Sequence, residues 1–180
     1  MSNNIFTVYG EVPELVEKKT KEIVNDYLGQ EIDDFNYVKY NLYESDLTPI
    51  IEETLTMPFF SDKKAIVVKN SYVFTGEKFS KDLNHNSDEL IKFLEKYDGE
   101  NLIIFEVYQS KLDERKKLTK TLKKNAQLKK IEQMSEKELK HWIKNTLNNN
   151  YKDIKQDALE LFIELTGVNY NICLLYTSPS

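Results

Sequence analysis

The chain has 180 residues, 40% of them hydrophobic and 12% aromatic, enough to bury one substantial core and a second small one. A net charge of −5 and a pI near 5.2 give the average surface no attraction for nucleic acid, so any such contact must come from a local patch. One cysteine, Cys173, excludes an internal disulfide framework and a cysteine zinc site; no apolar run approaches the ~20 residues of a membrane span, and the start Met1-Ser2-Asn3-Asn4 lacks a secretory signal, so the expectation is a cytoplasmic protein without membrane contact.

Ile5 to Gly10 reads as a first strand, and 14–28 as a helix with Leu15, Ile23, Val24, Tyr27 and Leu28 on one stripe, stopped by Gly29. A second strand is expected over 34–42 with Phe35, Tyr37 and Val38. Ser45 or Asp46 can then cap a helix to about Leu55, with Leu47, Ile50, Ile51 and Leu55 inward. Ala65 to Val68 within 64–69 is a buried strand, and 74–87 a polar loop. Ser87 is expected to cap a helix over 88–97 carrying Leu90, Ile91, Phe93 and Leu94. Leu102 to Val107, within 101–108, is the clearest central strand; a basic helix follows over 112–125, and 127–131 suits an edge strand because Lys129 and Lys130 lie in it. Ser135 and Glu138 form a capping box before a helix with Leu139, Trp142, Ile143 and Leu147. A last helix over 154–166, with Ala158, Leu161, Phe162 and Leu165, stops at Gly167. Strand–helix alternation with continuous apolar strands implies α/β architecture: a parallel five-stranded sheet with helices on both faces. The helices after Lys137 no longer alternate with strands and read as the start of a separate helical domain.

Between the second helix and the third strand stands Thr56-Met57-Pro58-Phe59-Phe60. Pro58 fixes the backbone and drives Met57 out of helical geometry. The two rings either plug the end of the layer or stand exposed as an anchor for a partner.

Familiar catalytic constellations are missing. The turn after the first strand has one glycine, no lysine until Lys18, and Glu11, Glu14 and Glu17, where a phosphate loop needs clustered N–H groups and a Lys-Ser/Thr pair. A nucleotide-using α/β enzyme is therefore a minor alternative. A receiver-type signalling module is another: it wants an acidic pair after the first strand, whereas Asp33 and Asp34 precede the second. His85 and His141 have no metal-ligand or catalytic spacing, and no cofactor is expected. Residues 111–130 hold nine basic residues and two acids, a local charge of +7. Lys116, Lys120 and Lys123 share a helical face flanked by Lys117 and Lys124. They form either a solvated face or a patch for phosphate or an acidic partner.

Taken in order, Tyr9-Gly10-Glu11, Thr56 to Phe60 ahead of Lys63 to Val68, Val73 to Gly76, and Lys111 to Leu118 with Lys120 resemble the delta subunit family of bacterial DNA polymerase III in its Gram-positive form, over about residues 4–172. The resemblance implies a degenerate AAA+-type module over 1–136 that does not hydrolyse ATP, then an incomplete helical lid domain over 137–172. Residues 173–180 leave the helical pattern and read as a non-native tail on a C-terminally truncated fragment, without the collar that assembles the clamp loader. It further implies a role in DNA replication: binding and opening of the sliding clamp (the beta subunit) through Thr56, Met57, Pro58, Phe59 and Phe60. The other implied partners are delta-prime and the ATPase subunits, with DNA touched indirectly or weakly. Such a subunit has no catalytic residues and no metal, and is an enzyme only by membership of a DNA-directed DNA polymerase, a nucleotidyltransferase.

Overall fold

A computed structural model describes residues 4–29, 32–57, 63–78, 83, 85–132, 134–167, 170 and 173. Two compact units divide the chain, 1–131 and 132–180. In the first, the strands β1 (Ile5–Tyr9), β2 (Tyr37–Asn41), β3 (Ala65–Lys69), β4 (Leu102–Val107) and β5 (Gln127–Lys130) form one parallel sheet in the order β2-β3-β4-β1-β5. The helices α1 (Pro13–Leu28), α2 (Leu47–Leu55), α3 (Ser87–Lys96) and α4 (Lys117–Asn125) connect them.

The alternation of side chains along each strand builds two cores. Ile66, Val68, Ile103, Phe105 and Val107 point to the face covered by Leu47, Ile50 and Ile51 of α2, Leu90, Phe93 and Leu94 of α3, and Leu118 and Leu122 of α4. Ala65, Val67, Leu102 and Ile104 point to the other face, covered by Val16, Val24 and Leu28 of α1. Every residue of β4 is buried, as the middle strand of a doubly covered sheet must be. Lys129 and Lys130 are exposed on the edge strand β5, as their charge requires.

Several local expectations shift. The buried stripe of α1 is Val16, Thr20, Val24 and Leu28, a strict four-residue spacing, and Leu15 lies beside it, only half-buried. Gly29 ends the helix at φ 59°, its N–H donating to the Asn25 carbonyl at 2.9 Å. Strand β2 begins later than expected because Asp33 closes a turn: its Oδ1 accepts from the N–H groups of Phe35 and Asn36, both at 2.9 Å. Phe35 is thereby 64% exposed. Asn86, not Ser87, caps α3, accepting from Asp88 and Glu89 N–H groups. Just ahead of the expected loop 74–87, a 3-10 turn at Tyr72–Phe74 buries Phe74, the first residue of that loop, completely, edge-on to Phe105 at 5.2 Å between centroids. Inward burial at the end of α2 belongs to Thr54, and Leu55 is 62% exposed.

The second unit holds α5 (Glu136–Asn149) and α6 (Gln156–Thr166). The Ser135–Glu138 capping box is present in both directions. Leu139 and Ile143 meet Leu159 and Ile163, with Trp142 packed at the margin against Tyr170 at 4.6 Å between ring centroids. The expected stripe of α6 is displaced: Leu161 and Leu165 are exposed, and the inward positions are Leu159 and Ile163. Two apolar stripes run along this helix, and apolar periodicity alone does not choose between them. Cys173, the first residue of the expected tail, is buried in this cluster; 174–180 lie outside the described residues.

Candidate functional site

Parallel α/β sheets usually take ligands at the C-terminal ends of their strands, beside the first helix. That end is filled here by the chain's own side chains. Gly10 follows β1 and donates to the Val107 carbonyl at 3.0 Å; a Cβ on it would lie 2.7 Å from the Ile131 carbonyl oxygen, so this glycine serves close backbone packing. Pro13 opens α1 and Glu14 lies in its first turn. One turn on, Glu17 accepts from Lys69 Nζ at 2.6 Å and lies 3.4 Å from the Tyr108 hydroxyl oxygen. Burial alone would raise the Glu17 pKa, but the hydrogen bond and charge of Lys69 outweigh it and hold the carboxyl below its usual value. The Tyr108 hydroxyl donates at 2.7 Å to Glu106, a buried carboxylate in the otherwise apolar β4. Burial, then the bond to Glu106, pushes the Tyr108 phenol far above its ordinary range, so it remains a neutral donor. Asn70, at φ 53°, turns the chain out of β3, and its amide donates to Asn41 Oδ1 at 2.8 Å.

The opposite end of the sheet carries the apolar corner. Thr56 leaves α2 in extended geometry, with φ −81° and ψ 131°. Met57 is 82% exposed, and with Leu55 it forms an apolar pair facing solvent. Beneath them the Asn101 amide donates to the carbonyls of Thr54 at 2.9 Å and Thr56 at 2.8 Å. Lys64, buried just before β3, pairs with Glu53 of α2, and burial lowers its pKa. A groove of about 650 Å³ runs beside the corner, lined by Ile51, Leu55, Met57, Phe93, Tyr97 and Asn101 among others. Of the five expected clamp-binding residues, Thr56 and Met57 are placed here; Pro58, Phe59 and Phe60 lie outside the described residues.

The basic segment is less uniform than its sequence. The helix begins at Lys117, so Lys116 is its N-cap residue, and its ammonium donates to the Val73 carbonyl at 3.0 Å. Lys123 pairs with Glu114. Lys117, Lys120 and Lys124 are exposed. Ahead of the helix, Arg115 grips Asp113 through two 2.9 Å bonds and holds that carboxyl at a pKa of about 2. The acids that dilute the patch thus neutralise some of its cations.

Sequence reasoning missed Asn101 and the Glu106–Tyr108 pair. Glu106 carried a visible signal, a charge inside an apolar strand; Asn101 carried none, because its partners are backbone atoms of a distant helix. The two histidines serve local structure. His85 lies between the Tyr72 hydroxyl and the Ser45 carbonyl, and His141 beside Asn145. Among the described residues no cluster of potential metal ligands occurs, and no helix is long and apolar enough to cross a membrane.

The sheet order and the helical unit after it define a class: a five-stranded parallel α/β module of the AAA+ type followed by a small all-helical unit. The family model for the delta subunit of DNA polymerase III matches residues 6–132, and the chain belongs to that family. It is 30% identical over 163 residues to DNA polymerase III subunit delta of Bacillus subtilis, covering 91% of this chain and 47% of the relative. The solved Bacillus subtilis DNA clamp loader delta protein matches with a TM-score of 0.69 at 26% identity, over 97% of this chain and 52% of that one. The chain thus spans about half the length of these relatives.

Proposed function

We propose that this chain is the clamp-handling part of a clamp loader delta subunit, acting in the cytoplasm in DNA replication. It binds the sliding clamp through the corner Thr56 to Phe60 and favours an opened ring, with no ATPase or polymerase activity of its own. The observation that carries this reading is the exposure of Leu55 and Met57 at a corner tied to the sheet by Asn101 and Lys64. An apolar surface on a held backbone loses little entropy on binding, as hot spots require. The Glu17–Lys69 and Glu106–Tyr108 pairs support the absence of nucleotide chemistry, since acids stand where phosphate would be received. In this reading unit 132–180 belongs to the lid domain, and delta-prime and the ATPase subunits are further partners.

Titration of the purified sliding clamp with the full chain, parent and Phe59→Ala/Phe60→Ala, tests the reading. Saturable binding lost in the variant supports it, and equal binding by both overturns it. Magnesium-dependent ATP binding would favour a nucleotide-using enzyme, and acetyl-phosphate labelling of an aspartate a receiver module. A subsidiary proposal concerns DNA. Lys117, Lys120 and Lys124 of α4 are the residues that would meet phosphate, with Lys116 and Lys123 already engaged within the chain. Reversing the three to Glu should reduce the salt slope of DNA binding by about one unit per lost contact and leave clamp binding unchanged.

A further inference from the structure

The last carbonyls of a helix have no donor within the helix, and the usual remedy is local: a glycine in left-handed geometry whose following N–H groups turn back. Helix α2 has no such glycine; Thr56 donates its N–H to the Glu53 carbonyl at 3.3 Å and its hydroxyl to the Glu52 carbonyl at 2.9 Å. Thr56 follows it in extended geometry, and Pro58, two residues on, has no N–H to offer. For the carbonyls of Thr54 and Thr56 the donor comes from the threshold of the central strand. Asn101, 7% exposed, spends both amide hydrogens on the carbonyls of Thr54 and Thr56, which flank Leu55. Two carbonyl acceptors fix the amide's orientation, since its oxygen in that place would face two other oxygens. Asn101 is itself braced. The Tyr97 hydroxyl donates to its carbonyl at 2.6 Å, and the next residue, Leu102, donates to the Lys64 carbonyl at 2.8 Å.

We propose that Asn101 is a positioning residue for the clamp-binding corner: its amide sets where α2 ends and how Leu55, Thr56 and Met57 are presented. This rests on the corner being the clamp-binding element. The two peptide planes around Leu55 are held by one side chain at the entry to the most buried strand of the sheet, so residues 54–56 are oriented before any partner arrives. An aspartate in its place would have nearly the same shape, but its carboxylate could donate to neither carbonyl.

The test is a clamp titration of the full chain as parent, Asn101→Asp, Phe59→Ala, the pair of both, and Phe59→Ala/Phe60→Ala, beside a thermal melt of each. Asn101→Asp should bind the clamp about tenfold more weakly, through loss of two oriented hydrogen bonds. With Phe59→Ala already present its further effect should shrink to about twofold or less, because positioning matters only for groups still there to be positioned. That coupling separates positioning from general destabilisation, which would weaken both backgrounds equally. If Asn101→Asp does not fold, Tyr97→Phe decides: it keeps both amide bonds, loosens their brace, and should weaken binding by about threefold. Parent-like binding by the folded Asn101 variant, an equal loss in both backgrounds, or parent-like binding by Tyr97→Phe where that variant decides, overturns the proposal. Parent-like binding by Phe59→Ala/Phe60→Ala instead overturns the reading of the corner beneath it.

Discussion

At the C-terminal ends of the strands, Glu17, Lys69, Glu106 and Tyr108 answer one another, and charge meets countercharge or hydroxyl at each step. At the N-terminal ends, Leu55 and Met57 face solvent while Thr54 beside them is buried. In most doubly covered sheets the first end receives the ligand and the second is plain turn. Here side chains at the first end pair with one another, and the second exposes apolar side chains to solvent. Under the proposed function, the fold class alone does not point to the site, and the chemistry of individual side chains does.

Four expected outcomes test this contrast. The largest concerns the open end: Phe59→Ala/Phe60→Ala should weaken clamp binding by about 2–4 kcal/mol with much less change in a denaturant melt. A variant that unfolds readily would make the rings core and erase the difference between the ends. At the closed end, Tyr108→Phe should destabilise the first unit by about 1–3 kcal/mol in urea titration, because it removes a donor from the buried Glu106. A neutral effect would mean that the network fills space without holding it. Met57→Ala, at a residue 82% exposed, should weaken the clamp complex by about 1 kcal/mol and leave the melt unchanged.

The smallest effect is on pH dependence. Glu17 has a folded pKa below its ordinary value, so its contribution to stability is present above the usual glutamate range and is lost as pH falls through the folded value. Glu17→Gln should flatten that acid limb in melts taken from neutral pH downward. An unchanged limb would show that the Lys69 pair does not couple to folding.

Much of the architecture was legible because strands buried on both faces leave continuous apolar runs, as from Leu102 to Phe105. Terminators were legible too: Gly29 adopts the left-handed geometry that its position demanded, and Ser135 with Glu138 made the expected box. What was hidden had tertiary causes. Leu55 fits the inward stripe of α2 by spacing, yet the helix ends under it and Asn101 draws the chain aside. On α6, Leu159 and Ile163 compete with Leu161 and Leu165, and only the partner helix decides. For the corner, apolar composition was readable, but its tether was not, because a bond from a side chain to distant backbone leaves no periodic trace. In the basic segment, charge could be counted, but the pairing of Lys123 with Glu114 could not.

The register of β1 has a consequence for synthesis. Ile5 pairs with Ile103, and Phe6 pairs with Gln127 on its other side. The first strand made is therefore the last to gain both neighbours, while β2 and β3 can pair as soon as residue 69 is free. Parallel pairing at such separation is slow, because a long stretch of chain must be closed before the contact rewards it. Until β4 and β5 emerge, Ile5 and Val8, which end fully buried, have no strand to lie against. Nascent chains halted near residue 100 should leave β1 open to protease, and chains halted well past residue 131 should protect it; protection at the shorter length would mean that β1 finds shelter before its strands exist.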